Sequence, residues 1–198
     1  MTQRVEGKGR GMSRREAVAG LAAFCLATPA FAKTDHPSII YMRKVAKDLL
    51  NAHRQGTVAS FRTAIQRHAD VPDIADYSLG RYKSKLPKSQ KSRYYAGVAT
   101  FMARYFADQS REFKVAKYEI GDATADNDNE VLVDTKVFLL SGQNYTVVWR
   151  LAWRKGRYKV VDAKVLGFSL VYLQRGIFTS YISKKNGDVG ELVAALNR

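Results

Sequence analysis

Residues 131–165 read VLVDTKVFLLSGQNYTVVWRLAWRKGRYKVVDAKV. Alternation of period two runs through this stretch three times. Val131, Val133, Thr135, Val137 and Leu139 form one face of a strand. Tyr145, Val147, Trp149, Leu151 and Trp153 form one face of the next, and Val161, Ala163 and Val165 one face of a third. Turn residues separate them, Ser141-Gly142-Gln143-Asn144 first and then Arg154-Lys155-Gly156-Arg157. Connections this short join antiparallel neighbours.

Upstream, Phe113, Val115, Lys117 and Glu119 alternate with Lys114, Ala116, Tyr118 and Ile120, and a turn cluster runs from Asp122 to Asn129. The expected sheet is therefore a four-stranded antiparallel meander. Before it the period is helical. Ile39, Ile40, Met42, Val45, Ala46 and Leu49 mark a first helix ending near Gly56. Thr57 caps a second helix carrying Val58, Phe61, Ile65 and His68. Val71-Pro72-Asp73 breaks the pattern, and Asp73 caps a short helix through Ile74, Tyr77 and Leu79. Leu86-Pro87-Lys88-Ser89 opens a long helix with Tyr94, Val98, Phe101, Met102, Tyr105 and Phe106 at helical spacing. After the sheet comes a helix from about Leu170 to Lys185, a break at Asn186-Gly187 and a short helix from Val189 to Leu196. Helices gathered before a meander predict an α+β domain.

The first 32 residues read as an address. Arg14 and Arg15 precede an apolar run from Ala17 to Ala27, and Ala30-Phe31-Ala32 matches a small-residue cleavage site. The run is shorter than the roughly 20 residues that span a bilayer. Ser13-Arg14-Arg15 resembles a twin-arginine signal, so both export routes stay open, as do Met1 and Met12 as starts. Cleavage near Ala32 would leave residues 33–198 as one domain without the chain's single cysteine, Cys25. That excludes thiol catalysis and cysteine-ligated metal in the exported form. It would also leave 28 basic and 16 acidic residues, a net charge of +12. Such a charge suits anionic lipid headgroups or acidic protein surfaces. Export makes nucleic acid a poor partner.

Motifs for chemistry are few. Asp122, Asp126, Asp128 and Glu130 have a calcium-like composition without the twelve-residue loop, and read as a solvated turn. His36, His53 and His68 form no paired ligand motif. Ser169 in Gly167-Phe168-Ser169-Leu170-Val171 lacks the second glycine of a nucleophile elbow and reads as a helix cap. No metal or cofactor is expected. The apolar strand faces are large, and the helices opposite carry Phe101, Met102, Tyr105 and Phe178. They fit either a filled core or a sheet curved away from the helices to leave a cavity.

Several segments resemble the MlaC, or toluene-tolerance, family in their order and spacing. These are Asp73-Ile74-Ala75-Asp76-Tyr77-Ser78-Leu79-Gly80-Arg81-Tyr82, then Lys88 to Tyr95 with Phe101 and Tyr105. Val148-Trp149-Arg150-Leu151, Tyr158-Lys159-Val160-Val161-Asp162 and Gly167 to Val171 follow. One segment departs. Where the family usually shows Tyr-Arg-x-Gln-Phe, this chain has Gln174-Arg175-Gly176-Ile177-Phe178.

The resemblance implies an NTF2-like fold with an apolar cavity between a curved sheet and helices. It implies a non-enzymatic periplasmic carrier that shuttles phospholipid between the outer and inner membranes and maintains outer-membrane lipid asymmetry. The implied partners are an inner-membrane ABC transporter with a lipid-binding ring, an outer-membrane lipoprotein–porin complex and transient membrane contact. On that reading the cavity candidates are Leu79, Tyr82, Val98, Phe101, Met102, Tyr105, Val133, Val137, Val147, Trp149, Leu151, Val161, Val165, Phe168, Tyr172 and Phe178. Arg81, Lys83, Lys85 and Lys88 are the basic candidates for headgroup or partner contact. A hopanoid-associated branch of the family stays open. So do an NTF2-like enzyme using Asp134 or Asp162, and an interaction module with a solid core.

Overall fold

The computed structural model describes residues 35–127 and 129–198, so the expected export segment lies outside it. Among the described residues there are six α-helices and one sheet. Helices α1 (Pro37–Gln55), α2 (Val58–His68), α3 (Val71–Ser78) and α4 (Lys91–Glu112) precede the strands. Strands β1 (Val115–Asn127), β2 (Glu130–Leu139), β3 (Asn144–Arg154), β4 (Arg157–Val165) and β5 (Phe168–Ser169) follow, then α5 (Leu170–Lys184) and α6 (Val189–Leu196). The class is α+β, as expected. No helix among the described residues is long and apolar enough to cross a membrane.

Local chemistry explains most boundaries. Gly56 ends α1 at φ +63, Thr57 caps α2 by accepting the Ser60 N–H, and Ser169 caps α5 by accepting the Tyr172 N–H. Two boundaries differ from expectation. Asp70 rather than Asp73 caps α3, because its carboxylate reaches the Asp73 amide. Pro87 opens only a short 3₁₀ turn at Lys88–Gln90, and α4 starts at Lys91.

The sheet is an antiparallel meander in the order β1-β2-β3-β4-β5. It has five strands rather than four. The fifth is a two-residue strand that turns back through Leu166-Gly167. β1 also runs further than expected. Most of the polar stretch Asp122 to Asn129 is strand, pairing Ala123 with Val133 and Asn127 with Glu130. Pairing to a long neighbour outweighs weak local strand propensity there. Glu130 meets Arg150 at 3.3 Å. No group of three or more metal-ligating side chains occurs among the described residues, although the side chains of Asp126 and Asp128 are outside them.

One sheet face is covered by helices and the other meets water. β2 shows it cleanly: Val133, Thr135, Val137 and Leu139 are buried, while Asp134 and Lys136 are exposed. In β4 the alternation fails. Arg150 pairs with Asp162 but Leu151 pairs with Val160, so Val161 is an extra residue, a bulge. Val160, Val161, Asp162 and Ala163 are consequently all buried. Trp153, expected on the inner face, is half-exposed at the end of β3 and packs edge-on against Tyr158.

The buried apolar residues form four clusters rather than one. Ala75, Tyr94, Val98, Phe178 and Leu192 join α3, α4, α5 and α6, with Leu79 beside them. Phe61, Ile65, Ala99 and Ala103 join α2 to α4. Met42, Val45, Val133 and Leu151 join α1 to the sheet, and Val137, Leu139, Val147 and Ala163 cover the end of the sheet. A space remains where these clusters meet.

Candidate functional site: an apolar cavity between the sheet and the helices

That space is a cavity of about 300 Å³. Val45 and Leu49 come from α1, and Ala64, Ile65 and His68 from α2. Phe101, Met102, Tyr105 and Phe106 come from α4, and Trp149 from β3. Val160, Asp162 and Ala163 come from β4, and Leu170, Val171, Leu173, Gln174 and Ile177 from α5. Ala69 and Ile74 complete the wall. Tyr105, Leu173 and Ile177 are also solvent-exposed, so the mouth lies between α4 and α5. Ala64, Ala69 and Ala163 are buried in the wall and leave room that larger side chains would fill.

Three polar side chains in the wall are occupied with the protein itself. His68 Nε2 lies 2.8 Å from Asp48 Oδ2. That hydrogen bond, with help from the Arg67 guanidinium, holds the Asp48 carboxyl below the usual range. Asp162 Oδ1 accepts the amides of Ala163 (2.8 Å) and Val171 (3.2 Å). Val171 is the second residue of α5, whose amide has no acceptor within the helix. The carboxylate thus fastens α5 to β4 and sits at the positive end of the helix. Gln174 Nε2 donates to Ser78 Oγ (2.8 Å), which donates to the Ile74 carbonyl (2.7 Å). The wall contains no serine, cysteine or lysine. Such a site suits a long apolar group, held by removal from water and by few directional bonds.

Of the residues expected at the cavity, Phe101, Met102, Tyr105 and Trp149 are in its wall. The other twelve are elsewhere. Leu79, Tyr82, Val98 and Phe178 pack with α6 in the first cluster. Val133 and Leu151 pack beneath α1, and Val137, Val147 and Val165 pack at the end of the sheet. Val161 is the bulge residue, with Val160 lining the cavity instead. Phe168 is exposed in β5, and Tyr172 is exposed because the opposite side of α5, through Val171, Gln174 and Phe178, turns inward.

None of the four basic candidates lines the cavity. Arg81 donates to the Tyr82 hydroxyl at 2.9 Å, and Lys83 pairs with Asp76 at 3.0 Å. Lys85 stands over the Tyr82 ring at 5.6 Å, and Lys88 starts the 3₁₀ turn. Arg81 and Lys85 border a separate surface groove with Ser183, Asn186 and Gly187. Asp134 is exposed on the outer sheet face, whereas Asp162 is buried in the cavity wall.

The structure is similar to that of a phospholipid-binding protein from Ralstonia solanacearum, solved in complex with a phospholipid. The identity is 21% and the TM-score 0.66, over 82% of this chain and 95% of that one. A Campylobacter jejuni protein assigned by name to the NTF2-like transpeptidases is similar at 12% identity and a TM-score of 0.43, over 64% of this chain and 98% of that one. No curated protein sequence matches the chain significantly. The family model described as MlaC protein matches residues 39–198, which takes in the whole fold except the first two residues of α1, and the chain therefore belongs to the MlaC family.

Proposed function

We propose that the chain is a periplasmic lipid carrier that holds acyl chain in the cavity and keeps the headgroup at the mouth near water. One observation carries this reading: a cavity of about 300 Å³ walled almost wholly by apolar side chains, with His68, Asp162 and Gln174 bonded to the protein. Membership of the MlaC family and the fold shared with a phospholipid-binding protein support it. Burial of each methylene contributes roughly 0.8 kcal/mol, so a carrier that works by burial alone needs a receiving partner to reshape the pocket. The partners proposed for that role are an outer-membrane lipoprotein–porin complex and an inner-membrane ABC transporter with a lipid-binding ring, and the outcome proposed is outer-membrane lipid asymmetry. The cargo is proposed to be phospholipid.

The test is native mass spectrometry of the exported chain purified without detergent, followed by lipid extraction. A bound phospholipid is the expected result, and a hopanoid would redirect the cargo. An apo mass that stays unchanged after incubation with phospholipid vesicles would overturn the reading.

A further inference from the structure

Several of the large apolar side chains left exposed among the described residues, Leu140, Leu166 and Phe168 first, gather at one end of the sheet. The strand register puts the β2–β3 turn, the β4–β5 turn and the start of β1 at that same end. Leu140 and Leu166 occupy the two turns, 73% and 72% exposed, and Phe168 is 66% exposed. Asn, Asp and Gly are the residues that serve such turns best. Leu166 has φ +51, a left-handed conformation that bulky side chains rarely adopt. A strained backbone that displays a leucine to solvent is the kind of outlier that marks a function.

Tyr172 and Leu173, on the first turn of α5, continue the patch toward the cavity mouth. Contiguous apolar surface of this kind marks an interaction face. Cations stand around it: Lys114 precedes β1 and Lys164 lies beside the β4–β5 turn. The acids at that end are Asp108 and Glu112, and Asp108 is paired with Arg111 at 3.6 Å. The chain as a whole carries a net charge of +15.

We propose that this end of the sheet docks on an anionic lipid bilayer. The Leu140 and Leu166 turns enter the interface to a shallow depth, the surrounding cations meet the negative surface, and the mouth between α4 and α5 is brought against the lipid. The purpose of the contact rests on the carrier reading. The surface itself rests only on the residues that form it.

Vesicle flotation tests it, using phosphatidylcholine alone and phosphatidylcholine mixed with phosphatidylglycerol. The parent chain is expected to float with the anionic vesicles and to be released by salt. The double variant L140E/L166E is expected to bind on the order of tenfold or more weakly. L140N/L166N guards against misfolding, since Asn tolerates the left-handed position at least as well as Leu. It is expected to melt no lower than the parent and still to bind weakly. Equal binding by parent and variants would overturn the proposal, as would a parent chain that ignores anionic vesicles. A concentration-dependent dimer abolished by L140N/L166N, without vesicle binding, would assign the face to a second copy instead and overturn it as well. Native mass spectrometry of the same samples separates the two readings. Vesicle binding without cargo would sink the carrier reading alone, and cargo without vesicle binding would sink the docking face alone.

Discussion

Removing the Asp162 carboxylate is expected to loosen α5 from the sheet. The Val171 and Ala163 amides, both on buried residues, donate to the same oxygen, Oδ1. An amide left buried without an acceptor costs about 1–3 kcal/mol. Loss of the anion at the α5 N-terminus costs about 0.3–1 kcal/mol more. Asp162→Ala should therefore destabilise the fold by roughly 2–5 kcal/mol, allowing for partial relaxation and for sheet bonding of Ala163. For a chain of this size that lowers Tm by about 5–15 °C. Asp162→Asn keeps the oxygen and should lose much less, roughly 1 kcal/mol. The assay is thermal and urea unfolding of delipidated protein, because bound ligand would itself raise Tm. An Asp162→Ala variant within about 0.5 kcal/mol of the parent would refute the anchoring argument, since that is the scatter of ordinary surface changes. Asp162 is also the buried acid that an NTF2-like enzyme would have available. An Asn variant that keeps both fold and cargo argues for the structural role.

Two glycines should respond in opposite directions. A Cβ on Gly176 meets nothing within 4 Å, so Gly176→Ala should stabilise α5 by about 0.5–1 kcal/mol. A Cβ on Gly97 would lie 2.8 Å from Leu196 Cβ and from Asn197 Nδ2, so Gly97→Ala should cost about 1–3 kcal/mol by pushing α6 off α4. Urea midpoints decide both, and shifts of the same sign would contradict the packing described for α4 against α6. The Thr135 hydroxyl is buried and has no hydrogen-bond partner, so Thr135→Val should raise stability by about 1 kcal/mol; a lower Tm would show that the hydroxyl is satisfied in solution. His53 Nε2 accepts the Val115 amide at 3.1 Å, a bond that needs the neutral ring. Burial, and then the Lys114 charge, hold its pKa below the ordinary 6.5. A base depressed in the folded state contributes fully above 6.5, and that contribution is lost as pH falls through the lower folded value. Urea unfolding at descending pH should show this loss in the parent and less of it in His53→Asn; parallel losses would exclude His53 as the source.

The order of elements was legible because each step of it has a local cause. Period two marks β2 and β3, Thr57 and Ser169 cap their helices, and Asn186-Gly187 breaks the chain in left-handed conformation. The cavity was not legible, for three physical reasons. A single extra residue in β4 moves inward-facing positions by one, and alternation in the sequence carries no mark of the bulge at Val161. The room in the cavity comes from Ala64, Ala69 and Ala163, whereas a search for large apolar residues finds what fills space and not what leaves it. The third reason is α5, where Leu170, Val171, Tyr172 and Leu173 are consecutive, so no apolar stripe identifies an inner side. A helix apolar on all sides has to bury all of them or meet an apolar partner. The fold buries Val171, Gln174 and Phe178 and leaves Tyr172, Leu173 and Ile177 in water. That unburied side adjoins the cavity mouth and the Leu166 turn. The feature that obscured the inner face of α5 in the sequence is thus the same one that gives the molecule an outer apolar surface, and the proposed lipid interface would supply the burial that the fold does not.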